Sequence, residues 1–233
     1  MIKPYPLALI TGGGTGIGRA TAEFLLAAGW RVIAVGLDCD DDLPEGIRFH
    51  KADVTNTNAI LAAIDSEEGL DGFVHCAGIL RHEREWQIAD FDAVMQVNVS
   101  AGFALANALL PRLEVARGSI VMLASMWAIF GSPGAPAYTA SKGAVAALTR
   151  SMAVAWAGKG VRVNSVAPGW VETRMSARAR ADIERAARIN GRIPMGRWAQ
   201  PSEVASVIRF LLSPDAAYVT GTMLPIDGGY SVC

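Results

Sequence analysis

Cysteine is scarce in this chain. Cys39, Cys76 and Cys233 are scattered over 233 residues and form no Cys-x-x-Cys pair. An odd, sparse set argues against a disulfide scaffold and fits a reducing compartment, read here as the cytoplasm. The three histidines, His50, His75 and His82, lack metal-ligand spacing, so no metal site is expected. Charge is sparse too: 18% of residues, with a net charge of −1. That leaves no global field for nucleic acid or an anionic membrane. No uninterrupted apolar run reaches about 18 residues. The stretch from Gly143 to Ala157 comes nearest, and Arg150 breaks it. Lys3 with the run Pro4 to Ile10 imitates the start of a signal peptide, but it is short and ends in glycines without a small-residue cleavage pattern. Repeats, low-complexity tracts and linkers are missing as well. With 52% hydrophobic residues the chain is too apolar for disorder. One domain over residues 1–233 is expected.

Short β-rich apolar runs alternate with longer helical patterns. Strands are predicted at 7–10, 31–35, 47–52, 72–76, 119–123, 161–166 and 222–226. Helices are predicted at 17–28, 56–64, 91–113, 137–156 and 202–212, the third bent or ended near Pro111. Near-continuous apolar strands separated by helices imply a mostly parallel sheet covered on both faces. The fold class is α/β, a doubly wound (Rossmann) sheet, whose ligands bind beyond the carboxyl ends of the strands.

Among 24 glycines, the cluster Thr11-Gly12-Gly13-Gly14-Thr15-Gly16-Ile17-Gly18 stands out, between the first strand and the first helix. Glycine lets backbone approach a phosphate closely, and the helix start offers unpaired N–H groups. The Gly-x-x-x-Gly-x-Gly spacing resembles that of the short-chain dehydrogenase/reductase family, and the resemblance extends over nearly the whole chain. It implies that Gly12, Thr15, Gly16, Ile17 and Gly18 hold a pyrophosphate. Asp38, just past the second strand, can accept from ribose hydroxyls and repel a 2′-phosphate. No Arg or Lys stands at positions 33–42, which favours NAD over NADP. Family users of NAD commonly carry the acid at the strand end itself, where this chain has Gly36 and Leu37. The resemblance also places Asp53 and Val54 at the adenine. Cys76, Ala77 and Gly78 line the cofactor, in an element where the family has Asn-Asn-Ala-Gly and this chain has His75-Cys76-Ala77-Gly78. Pro168, Gly169, Val171 and Thr173 fall on the nicotinamide side. Cys76 reads as a small buried residue and His75 as a hydrogen-bonded core residue.

Tyr138 and Lys142, at i and i+4, share one helix face. A nearby ammonium stabilises a phenolate and lowers its pKa from about 10. Ser125 ends a predicted strand, and Asn98 lies inside a predicted helix. The family resemblance makes these four the catalytic set. Tyr138 is the general acid/base, Ser125 holds the substrate oxygen, Lys142 also orients the nicotinamide ribose, and Asn98 supports a proton relay to Lys142.

The implied activity is hydride transfer between NAD(H) and a small or medium secondary alcohol or ketone. An NADPH-dependent ketone or 3-ketoacyl reductase is the alternative within the family. A non-catalytic NAD-sensing regulator is the alternative outside it. A serine hydrolase lacks its Gly-x-Ser-x-Gly elbow. Substrate contacts are expected from residues 79–82, 126–128, 170, 174 and 175. Trp127 and Trp170 suggest an apolar wall, and Arg81, His82 and Arg174 are candidates for a hydroxyl or carboxylate. The arginine-rich region 173–198 corresponds to the family's substrate loop and reads as an amphipathic helix over the site. Surplus apolar residues on the long helices, and the family's habit, point to a homotetramer or a homodimer.

Overall fold

The computed structural model describes residues 5–233. Lys3 and Pro4, the start of the run weighed as a signal sequence, lie outside the described residues. Seven strands form one sheet: β1 (Leu7–Thr11), β2 (Arg31–Gly36), β3 (Ile47–Lys51), β4 (Gly72–His75), β5 (Ser119–Leu123), β6 (Arg162–Pro168) and β7 (Met223–Ile226). Their order is β3-β2-β1-β4-β5-β6-β7, and every pairing is parallel. Strand order reverses between β1 and β4, so the chain leaves their paired carboxyl ends towards opposite faces and opens a crevice there.

The period-2 alternation of strands explains why the runs are apolar at every position. Leu9, Ile33, Phe73, Ile120 and Met122 face one core. Ile10, Ala34, Val74, Val121 and Leu123 face the other. The first core is closed by α2 (Thr57–Ala62), α4 (Ala101–Ala116) and α5 (Pro136–Trp156), through residues such as Ile60, Leu105, Leu109 and Met152. The second is closed by α1 (Gly16–Ala27) and α8 (Pro201–Leu212), through Leu25, Ile208 and Leu211. Pro201 takes the first helical position of α8, and Glu203 accepts from the Gln200 N–H (2.8 Å). Two short helices, α6 (Ala177–Ala181) and α7 (Ile183–Asn190), follow β6 within the region expected to cover the site.

The predicted 91–113 helix is longer and less regular. It runs as α3 (Ile88–Met95), a π-helical turn (Gln96–Ser100) and then α4. Pro111 does not end it. Pro111 and Asn107, whose carbonyl the proline leaves without its N–H, are both exposed to water, while Leu109 and Leu113 anchor the helix on either side. Residues 88–116 are long and apolar enough to cross a membrane by length and composition. Here their Leu105, Leu109 and Leu113 pack in the core.

His75 closes β4 in the core, 2% exposed, with Nδ1 at 2.9 Å from the Thr11 hydroxyl on β1. Burial pushes its pKa down to about 4. The neutral ring therefore stabilises the fold fully above the unfolded pKa near 6.5, and that contribution is lost as pH falls towards 4. Wild-type stability in urea is expected to drop by up to about 3 kcal/mol between pH 7 and 4 from this residue. His75→Asn should flatten that dependence; equal pH profiles would show that His75 does not titrate this way.

Candidate active site

The turns after β1, β4, β5 and β6 and the start of α5 enclose a cleft of about 450 Å³. Gly12 has φ +65°, and a Cβ there would meet the Ala77 nitrogen at 2.8 Å. A Cβ on Gly18 would meet the Gly12 carbonyl oxygen at 2.1 Å. Backbone thus packs on backbone, and the N-terminus of α1 is left facing the cleft. This bare cradle fits a dinucleotide pyrophosphate, which larger side chains would displace. Every residue expected to touch the dinucleotide, from Gly12 to Thr173, lines this cleft.

At the far end of the cleft, Lys142 Nζ donates to the Leu123 carbonyl (2.7 Å) at the end of β5. It stands 5.1 Å from the ring centroid of Tyr138. The Ser125 hydroxyl hydrogen-bonds the phenol, and Ser125 Oγ accepts from the Trp127 N–H (3.2 Å). Burial pushes the Tyr138 pKa up to about 12; Ser125 pulls it down and the Glu85 charge pushes it up. Burial pushes Lys142 down to about 8. The expectation that the ammonium lowers the phenol is therefore outweighed. Nζ lies over the ring and is held by a carbonyl, while desolvation penalises both charged forms. As arranged here, Tyr138 keeps its proton across neutral pH.

Asn98 sits in the π-helical turn, buried, outside the cleft lining. Its Oδ1 accepts from the Ile79 N–H (2.8 Å), and its Nδ2 donates to the Ile79 carbonyl (3.0 Å) and to Ser141 Oγ (3.1 Å). The amide ties the segment after β4 to α5. Irregular π turns are frequent at functional sites. Cys76 lines the cleft with its thiol pushed up to about 12 by burial, which keeps it a neutral wall.

Glu85 was not expected from the sequence. It is 1% exposed and accepts from two backbone donors, Tyr138 N–H (2.9 Å) and Arg81 N–H (2.8 Å). It caps α5 from a distance, where an anion is favoured. A signal did exist: Ala135 precedes Pro136 at the helix start and has no side chain to cap it.

The three cations proposed for substrate separate. Arg81 pairs with Asp90 and lies outside the cleft lining. Arg174 reaches to the adenosine end and pairs with Asp38 (3.1 Å) and Asp40. His82 lines the cleft, in the left-handed region at φ 52°. Arg178 and Arg185, on α6 and α7, line it as well. The aromatic wall of Trp127 and Trp170 is backed by Trp198, which does not itself line the cleft. Trp127 meets Tyr138 edge-on at 5.4 Å, Trp170 meets Trp127 at 6.3 Å, and Trp198 meets Trp170 at 5.0 Å.

A doubly wound sheet with a glycine cradle at one end of its cleft and a buried Tyr–Lys pair at the other defines a dinucleotide-linked oxidoreductase. Comparison with known proteins agrees. Residues 12–231 match the family described as enoyl-(acyl carrier protein) reductase, and the chain belongs to the short-chain dehydrogenases/reductases. It is 42% identical to the galactitol 2-dehydrogenase (L-tagatose-forming) of Cereibacter sphaeroides, over 97% of this chain and 94% of that protein. It is 36% identical to a 3-oxoacyl-(acyl-carrier-protein) reductase of Vibrio cholerae, over 96% of each. An Agrobacterium tumefaciens crystal structure, provisionally named a 2-deoxy-D-gluconate 3-dehydrogenase and holding NADP, superposes with a TM-score of 0.88 at 37% identity, covering 97% and 96% of the two chains.

The two amides donate to different oxygens of Glu85, so Glu85→Gln keeps an acceptor for only one of them while removing the charge that raises Tyr138. The alkaline ultraviolet titration of the phenols should shift one tyrosine to lower pH in Glu85→Gln, and Tyr138→Phe should remove that step. An unmoved titration would mean that the Glu85 charge is not felt at the phenol.

Proposed function

We propose that residues 1–233 form one dinucleotide-binding and catalytic unit, acting between NAD(H) and a small or medium secondary alcohol or its ketone. The observation that carries this reading is the meeting of Tyr138, Ser125 and Lys142 in the cleft that also holds the glycine cradle. The nicotinamide, when bound, supplies or accepts the hydride. In reduction Tyr138 gives its hydroxyl proton to the substrate oxygen; in oxidation it takes that proton back. Ser125 holds and polarises the same oxygen. Lys142 is placed to hold the ribose hydroxyls and to supply positive charge beside the phenol. Asn98 keeps the Ile79 segment and α5 in register. With the phenol pushed up to about 12, oxidation is expected to quicken as pH rises and reduction to run at neutral pH.

NAD preference rests on Asp38 at the adenosine end and on the lack of Arg or Lys at positions 33–42. Arg174 weakens that argument, because it brings a guanidinium to Asp38 from across the cleft. An NADPH-dependent ketone or 3-ketoacyl reductase is therefore the second reading, favoured by that ion pair. An NAD-sensing regulator would not need a phenol hydrogen-bonded to Ser125 in the cleft. We place the protein in the cytoplasm, on its three unpaired thiols. We expect a homotetramer or homodimer, on the exposed apolar residues Phe103, Val115 and Val154 of α4 and α5.

Tyr138→Phe is expected to cut kcat by about 10²- to 10⁴-fold while NADH binding, followed by fluorescence, persists. Turnover near wild type would rule out Tyr138 as the acid/base. Asp38→Ala should reduce the NAD-to-NADP ratio of kcat/KM by about tenfold, the loss of one charge-assisted hydrogen bond. A wild type that turns over only NADP would favour the second reading.

A further inference from the structure

Charge is segregated along the cleft. Asp38 and Asp53 line the adenosine end, and no other carboxylate lines it among the described residues. The opposite end carries Arg178, Arg185 and His82 beside Trp127 and Trp170. What distinguishes the two arginines is that they line the cleft and are unspent. Their neighbours are engaged: Arg174 with Asp38 and Asp40, Arg180 with Glu172 (3.7 Å) and the Thr173 carbonyl (3.1 Å), Arg197 with Glu203 (2.7 Å). Arg192 lies over the Tyr230 ring at 4.4 Å. Among the described residues, neither Arg178 nor Arg185 has an ion-pair or side-chain hydrogen-bond partner for its guanidinium.

Arg178, Arg185 and His82 also lie close enough to act on one anion. The Glu83 carboxyl, outside the cleft lining, is held below its usual range, by its own backbone N–H first and then by His82, Arg178 and Arg185. None of the three forms an ion pair with it. A carboxylate inside the cleft would meet the same field with less water around it. Guanidinium forks suit a planar carboxylate, which they bind with paired, charge-assisted hydrogen bonds.

We propose that Arg178, Arg185 and His82 form a carboxylate subsite, so that the substrate is a hydroxy acid or keto acid. This rests on the oxidoreductase reading above for the reaction, but not for the binding. Arg180 and Arg188, on the same two helices, are not part of it; neither lines the cleft.

The test pairs hydroxy acids of three to six carbons with the alcohols that replace each carboxylate by a hydroxymethyl group, for instance D-gluconate with D-glucitol. Wild-type kcat/KM, with either cofactor, should favour the best acid over its alcohol by about tenfold or more. The variant Arg178→Ala/Arg185→Ala should bring that ratio down about tenfold to a hundredfold. Lysine replacements should restore only part of it, since they return charge without the fork. Titration calorimetry of the same acids in the presence of NADH gives a readout independent of turnover. Binding that weakens in the alanine variant supports the subsite even if no compound is oxidised, an outcome that would count against the oxidoreductase reading alone. Acids that bind wild type and variant equally, or not at all, would overturn the subsite. So would a consistent preference for the neutral alcohols.

Discussion

An ammonium taken out of water must find an acceptor or lose its proton. Lys142 is 4% exposed, and its main partner is the Leu123 carbonyl at the end of β5. That one hydrogen bond fixes the distance between α5 and the sheet at the point where chemistry is proposed. Tyr138 follows, because it sits one turn earlier on the same helix face. Ser125 follows, because it comes two residues after the acceptor strand residue. Burial is what gives the pair its character: it depresses the lysine and raises the tyrosine, so the proton is available and the charge is weakly held.

Much of the surrounding structure serves that junction. The switch in strand order between β1 and β4 opens the crevice. The bare backbone at Gly12 and Gly18 leaves one end free for phosphate. The Asn98 amide and the Glu85 carboxylate brace α5 from two sides, one through Ser141 and one through the Tyr138 N–H. Both braces come from the segment after β4. That stretch also supplies His82 to the cleft wall, so the wall and Tyr138 share a support.

The sheet was legible because parallel strands buried on both faces leave continuous apolar runs, as at Leu7 to Ile10 and Ile120 to Leu123. The glycine cradle and the Tyr138–Lys142 pair were legible because their spacing is local. What could not be read is long-range. Nothing near Asp38 in sequence announces Arg174, 136 residues away. Glu85 looks like one more charge in a polar stretch until α5 is placed above it. The π turn at Asn98 depends on packing that no helical period records, and the sequence does not show that Pro111 falls on the exposed side of a helix that runs on through it. The arginines of residues 173–198 are equivalent in sequence; only the structure divides the paired from the unpaired.

The central claim is that burial, with a single main-chain acceptor, sets the protonation of the Tyr138–Lys142 pair. It is tested most directly by nuclear magnetic resonance titration of the lysine side chains. The chain has few lysines, Lys3, Lys51, Lys142 and Lys159, and Lys142→Arg assigns the signal of interest. Lys142 is expected to titrate near 8. A Lys142 midpoint at or above 10.5 would contradict it.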